Sequence, residues 1–348
     1  MHFISLISYL IVETGPDLQI RIKYTTVLII LLISVSLKGQ DPHFSQFYAN
    51  ALYLAPSFAG AIEENRISIN YRNQWPAVSG VFNTYSFSYD RYMPNFRSGI
   101  GILATYDVAG SGDLSTTNIG LLYSYDIQLN REWHIRPGIN FKFTYLGLNY
   151  GKLIWNSMIT ARGTTPSVYP PPFEGVADVD FAFSALAYND RIWGGVNFDH
   201  LFKPRQSFYG DWDTHVPVKV NVFGGIQISR RGRLLNRYSE VISVAANIKY
   251  QDRFWQSDLG LYYYRDPVIF GLWYRGIPFV TSQAGDAIIG LIGIKTQNLH
   301  IGYSYDFTIS NLIASTGGSH EISLVYEFIT STLGSRRRMF HAVPCPEF

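Results

Sequence analysis

Apolar and polar residues alternate along several stretches of this chain. From Ile119 to Leu129, every odd-numbered residue is Ile, Leu or Tyr, whereas most even-numbered ones are polar or glycine. Successive side chains of a β-strand point to opposite faces, so this stretch predicts a strand between an apolar and a mostly polar environment. The same alternation recurs over residues 139–145, 301–309 and 321–328. Strands of roughly ten to fifteen residues with Tyr and Phe on one face are typical of a transmembrane β-barrel.

About fourteen strands are predicted downstream of residue 65. Their expected spans are 66–75, 81–93, 97–108, 114–129, 132–148, 177–188, 191–199, 216–229, 238–250, 254–264, 267–275, 285–296, 299–308 and 319–330. A bacterial single-chain barrel with both ends on one side of the membrane has an even number of antiparallel strands. The sequence therefore predicts an all-β fold, a transmembrane antiparallel β-barrel of about fourteen strands.

The predicted connections fall into two sets. On the side where the chain enters the first strand they are mostly short, namely 130–131, 189–190, 266 and 297–298, with the longest at 230–237. On the other side they are mostly long, namely 149–176, 200–215, 276–284 and 309–318, with a short exception at 251–253. Outer-membrane barrels have short periplasmic turns and longer extracellular loops, so the short set is predicted to face the periplasm.

The composition agrees with a barrel. Aromatic residues and charged residues each make up 16% of the 348 residues, whereas soluble proteins carry about 25% charged residues. Beyond the N-terminal region no run of about 18 apolar residues occurs, which removes a helical span and leaves a closed barrel as the way to cross a bilayer. The net charge of +2 predicts no nucleic-acid partner. The single cysteine, Cys345, excludes an intramolecular disulfide and a zinc cluster.

The N-terminal region predicts an exported protein. Arg21 and Lys23 precede an apolar core at residues 27–35 and a cleavage position near Gly39, which is the pattern of a signal peptide. The following segment has two prolines and mixed polarity, so it is expected to lie in the periplasm or to fold into the barrel as a plug. Four segments are therefore expected: 1–40, an N-terminal extension with the signal peptide; 41–65, the periplasmic or plug segment; 66–330, the barrel; and 331–348, a periplasmic tail.

Arginines concentrate at the predicted periplasmic turns. They are Arg91, Arg97, Arg131, Arg191, Arg230, Arg231, Arg233, Arg237 and Arg265, and the tail adds Arg336, Arg337 and Arg338. Two interpretations remain open at this point. The arginines contact lipid phosphates and keep the turns soluble, or they form a basic underside that docks a periplasmic partner.

Aromatic residues near the strand ends are expected to form girdles at the two membrane interfaces. The set is Tyr92, Trp133, Trp193, Trp255, Trp273 and Tyr274. The inward positions of the strands are mainly small or polar, with scattered charges. A barrel of about fourteen strands is too wide for its own side chains to fill, so the lumen holds water, a plug or a ligand.

The sequence does not predict an enzyme. The histidines are dispersed, and neither a Gly-x-Ser-x-Gly elbow nor a His-x-x-x-His pair occurs. His300 and Ser304 lie on one face of a strand but about 13 Å apart at the usual strand rise, too far for a hydrogen bond. No catalytic residue, metal site or cofactor is predicted.

Three motifs resemble those of one known family. The first is His43–Tyr48 followed by Asn50 and then Pro56–Gly60; the second is Tyr71–Pro76; the third is the arginine triplet of the tail with Cys345–Phe348. Together they resemble the PorP/SprF family of Bacteroidota outer-membrane proteins, which belongs to the type IX secretion and gliding system. This chain departs from the family pattern at Ala55, where the family has Asn, and at Phe58, where it has Tyr.

The resemblance implies a non-enzymatic barrel that supports the secretion or surface attachment of cargo proteins. The implied partners are the C-terminal domain of an adhesin-like cargo, periplasmic ring subunits or a peptidoglycan-linked lipoprotein, and outer-membrane lipid. It also implies that the tail is ordered against the barrel base or a periplasmic partner, with Cys345 as a buried thiol. Two alternatives remain: a passive diffusion channel for small solutes, and a structural anchor of the envelope.

The candidate site residues form four groups. The plug motif contains Ser45, Gln46, Tyr48, Asn50, Pro56 and Gly60, and the first strand contributes Arg72, Gln74, Trp75 and Pro76. Residues expected to bind a periplasmic partner are Arg230, Arg231, Arg233, Arg237, Arg336, Arg337, Arg338, Cys345, Pro346 and Phe348. Residues expected to face cargo in the outer loops are Tyr169, Pro171, Phe173, Phe208 and Trp212.

Overall fold

The computed structural model describes most of the chain after residue 40. The described residues are 41–62, 65–153, 159–160, 163–164, 175–208, 214–234, 237–276, 286–309, 317–328 and 343–344. The chain divides after Asp41, and all the strands and helices belong to the unit Pro42–Phe348 among the described residues. The predicted signal peptide lies outside the described residues.

Fourteen long strands occur among the described residues. They are β1 Asn65–Gln74, β2 Val81–Met93, β3 Ser98–Gly110, β4 Leu114–Tyr125, β5 His134–Gly147, β6 Gly175–Tyr188, β7 Ile192–Asp199, β8 Lys219–Leu234, β9 Arg237–Gln251, β10 Phe254–Arg265, β11 Val268–Arg275, β12 Ala287–Lys295, β13 Leu299–Thr308 and β14 Ser319–Phe328. Each strand pairs with its sequence neighbours, and β1 pairs with β14. The sheet is therefore a closed antiparallel barrel, which confirms the predicted fold class and strand number.

The two faces of the wall follow the alternation in the sequence. On β4, Leu121 is 63% exposed on the outer face, whereas its neighbours Leu122 and Ser124 on the inner face are 3% and 0% exposed. On β5, Ile139, Phe141, Phe143 and Tyr145 are all outside and 40–52% exposed. The outer face thus carries the apolar band that contacts lipid.

The two rims of the barrel differ in their connections. We call the rim where β1 begins the turn end, because its connections are short: 94–97, 126–133, 189–191, 235–236, 266–267 and 296–298. The opposite rim, the loop end, carries 75–80, 111–113, 148–174, 200–218, 252–253, 276–286 and 309–318. The predicted asymmetry, including the short exception near residue 252, is therefore present.

One predicted connection is wrong. Residues 230–237, expected to be the longest turn of the turn end, lie mostly in strands, since β8 continues to Leu234 and β9 begins at Arg237. The pairing register shifts between Gln227 and Ser229 and then continues to the pair Leu234 and Arg237. Strands β8 and β9 therefore stay paired with each other beyond the residues at which β8 pairs with β7 and β9 pairs with β10.

In the part of the chain that the structure describes, helical structure is confined to short segments. Helix α1 spans Ala51–Leu54, a 3₁₀ turn follows at Pro56–Phe58, and a second 3₁₀ turn lies at Tyr150–Lys152. Among the described residues, none of these helices is long and apolar enough to span a bilayer.

Candidate functional site

Residues 42–61, here called the plug, lie in the lumen of the barrel. From Phe44 to Ala61 all but one of the residues are buried, with Tyr53 the partly buried exception. Their hydrogen bonds reach inward-facing side chains of strands around the whole barrel, from Asp90 on β2 to Ser184 on β6 and Glu321 on β14. The sequence left two positions open for this segment, the periplasm and the lumen of the barrel. In the structure it lies in the lumen.

The beginning of the plug is held by charged side chains near the loop end. Ser45 Oγ lies 2.8 Å from an oxygen of Asp306 and accepts hydrogen bonds from Arg72 and Arg275 at 2.8 and 2.9 Å. The backbone N–H groups of Ser45 and Gln46 donate to the two carboxylate oxygens of Glu321, at 2.7 and 3.0 Å. We call these contacts the loop-end anchor.

The charges of the loop-end anchor compensate one another. Arg72 pairs with Asp306 at 2.8 Å and with Glu321 at 3.2 Å, and Arg275 pairs with Asp306 at 2.9 Å. Arg275 also lies 3.4 Å from Asp258. Buried ions are costly unless they are paired and hydrogen-bonded. The Ser45 hydroxyl lies at the centre of this network. The position of the plug in the lumen and the pairing of the buried charges on the wall therefore depend on each other.

Gln46 extends the same anchor along the wall. Its Nε2 donates to Ser304 Oγ at 3.2 Å and to the Glu321 carbonyl at 3.1 Å, while its Oε1 accepts from Ser323. The Ser304 hydroxyl, considered above beside His300, is therefore engaged by the plug.

Aromatic side chains fill the middle of the lumen. Tyr48 packs edge-on against Trp193 with ring centroids 6.0 Å apart, and Phe47 packs against Trp273 at 5.2 Å. Trp193 and Trp273 are each 1% exposed. The prediction that these two tryptophans belong to the interfacial girdles is wrong, because they face inward and need the plug aromatics to cover them.

The end of the plug is held by its backbone near the turn end. The Ala59 carbonyl accepts from Ser124 Oγ and from Arg136 Nη2, both at 2.7 Å. The Ser57 N–H donates to Ser184 Oγ at 2.8 Å, and the Gly60 N–H donates to Asp90 at 2.7 Å. These contacts form the turn-end anchor.

Two wall glycines make room for the turn-end anchor. A Cβ on Gly99 of β3 would lie 1.9 Å from the Ala59 oxygen, and a Cβ on Gly138 of β5 would lie 2.3 Å from the Ser57 nitrogen. Both obstacles are backbone atoms, so a side chain at either glycine displaces the plug. Gly60 itself has φ +61, a conformation that favours glycine.

The tail returns to the turn end of the lumen. Val343 is 6% exposed, and its N–H donates to the Ala61 carbonyl at 3.4 Å. The Pro344 carbonyl accepts from Gln227 Nε2 of β8 at 2.8 Å. The described part of the tail therefore contacts both the end of the plug and the barrel wall.

Three of the ten predicted plug and first-strand residues come together in one cluster. Ser45, Gln46 and Arg72 form the loop-end anchor, and Asn50 Oδ1 accepts from Ser86 Oγ at 3.2 Å. The others are spread along the barrel. Tyr48 packs on Trp193 in the middle of the lumen, Pro56 begins the 3₁₀ turn and Gly60 lies in the turn-end anchor, whereas Gln74 ends β1 and Trp75 and Pro76 follow it at the loop end.

The other predicted site residues are only partly described. Arg230, Arg231, Arg233 and Arg237 lie on the hairpin of β8 and β9. Phe208 is half-buried with its ring 6.3 Å from that of Tyr150. The remaining predicted residues lie outside the described residues: Tyr169, Pro171, Phe173, Trp212, Arg336, Arg337, Arg338, Cys345, Pro346 and Phe348.

Sequence reasoning missed the wall side of the anchors. Arg136, Arg275 and Glu321 face the lumen at 0%, 2% and 0% exposure, and none was chosen as a site residue. A signal existed, because an ionised side chain on a membrane strand is costly and marks a functional or paired position. A second paired cluster, Lys142 with Asp180 at 3.0 Å and His200 with Asp180 at 2.7 Å, obeys the same rule.

Comparison with solved structures finds outer-membrane proteins of low identity. Acinetobacter baumannii outer membrane protein Omp33 shares 8% identity over 76% of this chain and 99% of its own, with a TM-score of 0.43. The Pseudomonas putida toluene transporter TodX shares 12% over 79% of this chain and 92% of its own, with a TM-score of 0.45. A Pseudomonas aeruginosa FadL homologue shares 13% over 79% and 92%, with a TM-score of 0.43. At these scores no function is transferred.

The comparison of sequences identifies the family. No curated protein matches the chain. The family model for the type IX secretion system membrane protein PorP/SprF matches residues 36–326, a range that includes the plug, both anchors and nearly the whole barrel. The resemblance carried by the plug and first-strand motifs is thereby confirmed. This chain belongs to the PorP/SprF family of type IX secretion system membrane proteins.

Proposed function

We propose that this protein is a plugged docking barrel of the outer membrane. In this role it supports the secretion or surface attachment of cargo proteins through its loop end and contacts the periplasmic secretion machinery through its turn end. The observation that carries the proposal is the plug, which is anchored to the wall near both ends of the lumen. A lumen filled in this way serves to hold a fixed shape for partners rather than to pass solutes.

The plug argues against the diffusion channel. A channel needs a water-filled lumen lined by polar side chains. Here the polar wall residues are used to bind the plug, as with Asp90 and Gly60, and the middle layer is aromatic. The same use of wall residues argues against catalysis, since Ser304 Oγ accepts a hydrogen bond from Gln46 Nε2 of the plug.

The proposed orientation follows from the two rims. Short turns and both chain ends of the barrel belong to the periplasmic side of bacterial barrels, so the loop end faces the outside. The connections 148–174 and 200–218 are the longest at that end and are the proposed contact for an adhesin-like C-terminal domain. Tyr169, Pro171, Phe173, Phe208 and Trp212 remain proposals for that contact.

At the turn end the proposed partners are periplasmic ring subunits or a peptidoglycan-linked lipoprotein. The arginines of β8 and β9 belong to the hairpin on this side, and Pro344 of the tail accepts a hydrogen bond from Gln227 of β8. The lipid-facing outer wall needs only outer-membrane lipid as its partner.

Purification of the tagged barrel from its native cells in mild detergent, followed by mass spectrometry, tests the docking role. We expect a surface protein or its C-terminal fragment together with periplasmic subunits in stoichiometric amounts. Deletion of the barrel is expected to remove at least one surface protein from the cell. If every surface protein stays in place after deletion, the proposal is wrong.

Planar-bilayer recording separates the docking barrel from the channel. We expect the purified wild-type barrel to give no steady conductance, because the plug stays seated. A variant that lacks residues 42–61 is the positive control and is expected to conduct. A large steady conductance of the wild-type protein would favour the channel.

A further inference from the structure

The C-terminal tail is seated at the point where the plug leaves the lumen. Ala61 is the last residue of the plug, and β1 begins soon after it, at Asn65. The Val343 N–H donates to the Ala61 carbonyl at 3.4 Å, and Val343 belongs to the same buried apolar cluster as Ala59 and Ala61. Terminal segments of a domain are poorly ordered unless contacts tie them down. Residues 343–344 are buried here, and we call them the latch.

The barrel wall holds the other side of the latch through Gln227 of β8. Gln227 Nε2 donates to the Pro344 carbonyl at 2.8 Å, and Gln227 Oε1 accepts from Arg230 Nε. The Gln227 N–H donates to the Arg191 carbonyl at 2.9 Å, so this residue is itself fixed at the turn end. Pro344 is buried, and a buried carbonyl without a donor is costly. Gln227 therefore supplies a donor that allows the latch to stay buried.

The latch continues the turn-end anchor by one residue. Wall side chains bind the Ala59 carbonyl and the Gly60 N–H. The Ala61 N–H stays within the plug and donates to the Phe58 carbonyl at 3.0 Å, whereas the Ala61 carbonyl accepts from the tail. The wall thus holds the plug backbone as far as Gly60, and the tail holds the residue after it.

The latch differs from the wall residues that hold the plug, because it lies outside the strands. Strand β14 ends at Phe328, opposite Asn65 of β1 and so at the turn end, and residues 329–342 connect it to the latch. The wall residues are fixed by the strand pairing of the closed barrel. Since residues 343–344 belong to no strand, the latch can leave its seat while every strand pair stays closed. A local opening of this kind costs less free energy than unfolding of the barrel.

We propose that the latch holds the end of the plug in the lumen, and that a periplasmic protein releases the plug end by binding the tail. With the latch seated, movement of the plug end breaks the bond between Ala61 and Val343 and uncovers the apolar cluster around them. A protein that binds only the displaced tail shifts the equilibrium toward the released plug end. The second part rests on the proposed function, since it gives the turn-end contact with the secretion machinery a way to act on the plug.

Thiol labelling of the plug end tests the latch. In a background without the native thiol, Cys345→Ser, the substitution Ala61→Cys places a thiol against the latch. The rate of its reaction with a maleimide is measured on the full-length barrel in detergent. Val343→Asp puts a carboxylate into the apolar seat and is expected to raise this rate about tenfold or more. Val343→Ile keeps the seat apolar and is expected to leave the rate within about twofold.

A second thiol position shows whether the opening is local. Ala51 lies in helix α1 of the plug and is 3% exposed. Ala51→Cys is expected to react slowly with and without Val343→Asp, and the shift of gel mobility on heating is expected to stay the same. Equal acceleration at positions 51 and 61 means that the tail supports the whole fold rather than the plug end, which overturns the proposal. An unchanged rate at position 61 in Val343→Asp overturns it as well.

A tail peptide added in trans separates a latch from a general loss of stability. The barrel that lacks residues 331–348 is expected to label at position 61 as fast as Val343→Asp does. A synthetic peptide of residues 335–348 with Cys345→Ser is expected to slow the labelling in a saturable way, whereas the same peptide with Val343→Asp is not. If the truncated barrel does not fold, the Val343→Asp barrel takes its place. Two peptides of equal effect contradict the latch.

The release step is tested with a protein that binds the displaced tail. The probe is an antibody fragment raised against residues 340–348, an epitope that includes the buried residues 343–344. It is expected to raise the labelling rate at position 61 about tenfold in the barrel with the wild-type tail and to have no effect on the truncated barrel. An unchanged rate with the fragment bound shows that binding of the tail does not release the plug end.

The cellular experiment separates this inference from the proposed function. If Val343→Asp does not change the labelling rate, the latch proposal fails, and the docking role is still decided by deletion of the barrel. If deletion of the barrel changes no surface protein, the docking role fails, and the labelling rates still decide whether the tail holds the plug.

Discussion

The two ends of the plug are held to the same barrel by different interactions. At the loop-end anchor, Ser45 and Gln46 meet side-chain charges, namely Arg72, Arg275, Asp306 and Glu321. At the turn-end anchor, backbone groups of the plug meet hydroxyl and charged side chains, and wall glycines leave the space that the backbone occupies. Charged side chains contribute at both ends, but at the loop end they meet plug side chains as well, whereas at the turn end they meet the plug backbone where two wall glycines leave room for it.

This difference predicts which substitutions disrupt each anchor. Removing one member of a buried charge network leaves another charge without compensation, so the loop-end anchor is sensitive to neutral substitutions of similar size. The turn-end anchor tolerates little added volume, since the obstacles to a new side chain are backbone atoms that have no rotamers to change.

Arg72→Met is expected to give the largest effect, at the loop-end anchor. It removes the partner of Asp306 and Glu321. We expect a loss of about 3 kcal/mol, at the low end of the range for a broken buried pair, because Asp306 keeps Arg275. Thermal unfolding in detergent, followed by the shift of gel mobility on heating, measures this loss.

The matched control is Arg205→Met. Arg205 pairs with Asp178 at 3.4 Å, but its side chain is 65% exposed. An exposed pair contributes about 0–1 kcal/mol. Equal losses for Arg72→Met and Arg205→Met would contradict the view that the loop-end anchor depends on buried charge.

Gly99→Ala is expected to give the next largest effect, at the turn-end anchor. The added Cβ would meet the Ala59 oxygen at 1.9 Å, so the plug must move. We expect a loss of about 2 kcal/mol, in the range for overpacking, and protease cleavage of the plug from the turn end. Gly290→Ala is the control, because its Cβ would meet nothing within 4 Å. If the plug of Gly99→Ala is as resistant to protease as the wild-type plug, the close approach of the plug to Gly99 does not hold the turn end.

Ser45→Ala is expected to have a smaller effect at the loop end. It removes the hydroxyl that contacts Arg72, Arg275 and Asp306 but leaves these three charges paired with one another. The expected loss is about 1 kcal/mol, the net value of a typical hydrogen bond. A double-mutant cycle of Ser45→Ala with Arg72→Met measures the coupling, and additive losses would show that Ser45 is not part of the network.

Acid is expected to weaken the loop end slightly, through protonation of His43. Burial lowers the pKa of His43 well below its usual value, and the charges of Arg275, Arg72 and Lys249 lower it further. The seated plug thus binds fewer protons than the released one, whose His43 titrates near about 6.5. Stability at this end is therefore full above about pH 6.5 and falls as the pH is lowered through that value.

Limited proteolysis of the plug at about pH 5 and about pH 7.5 checks this direction. His43→Phe is expected to remove the pH dependence, and His320→Phe, at the start of β14, is expected to keep it. Stronger protection of the plug in acid would contradict the assignment to His43.

Much of the wall could be predicted because a strand has a period of two. Leu121 and Phe141 were assigned to the outer face from their neighbours alone, and the pairing of adjacent strands is a local matter of short turns. The alternation does not show whether water or another segment of the chain covers an inward-facing aromatic residue. Trp193 and Trp273 therefore looked like girdle residues, although the plug covers them.

The alternation of apolar and polar residues also did not predict how far β8 and β9 extend. Arg230, Arg231 and Arg233 are charged and predict a turn, but strand β8 continues through them because it stays paired with β9 across the hairpin. Charged residues occur both in solvent-exposed strands and in loops, so composition does not distinguish the two.

The sequence by itself determined the barrel, its strand number, the outer and inner faces of its strands and the family. Only the tertiary structure decided that the plug lies in the lumen and which wall residues hold it. The physical reason is distance along the chain: Ser45 meets Asp306 and Glu321, which are 261 and 276 residues away. Contacts of that kind depend on closure of the whole barrel in one register, and no local pattern of residues contains that information.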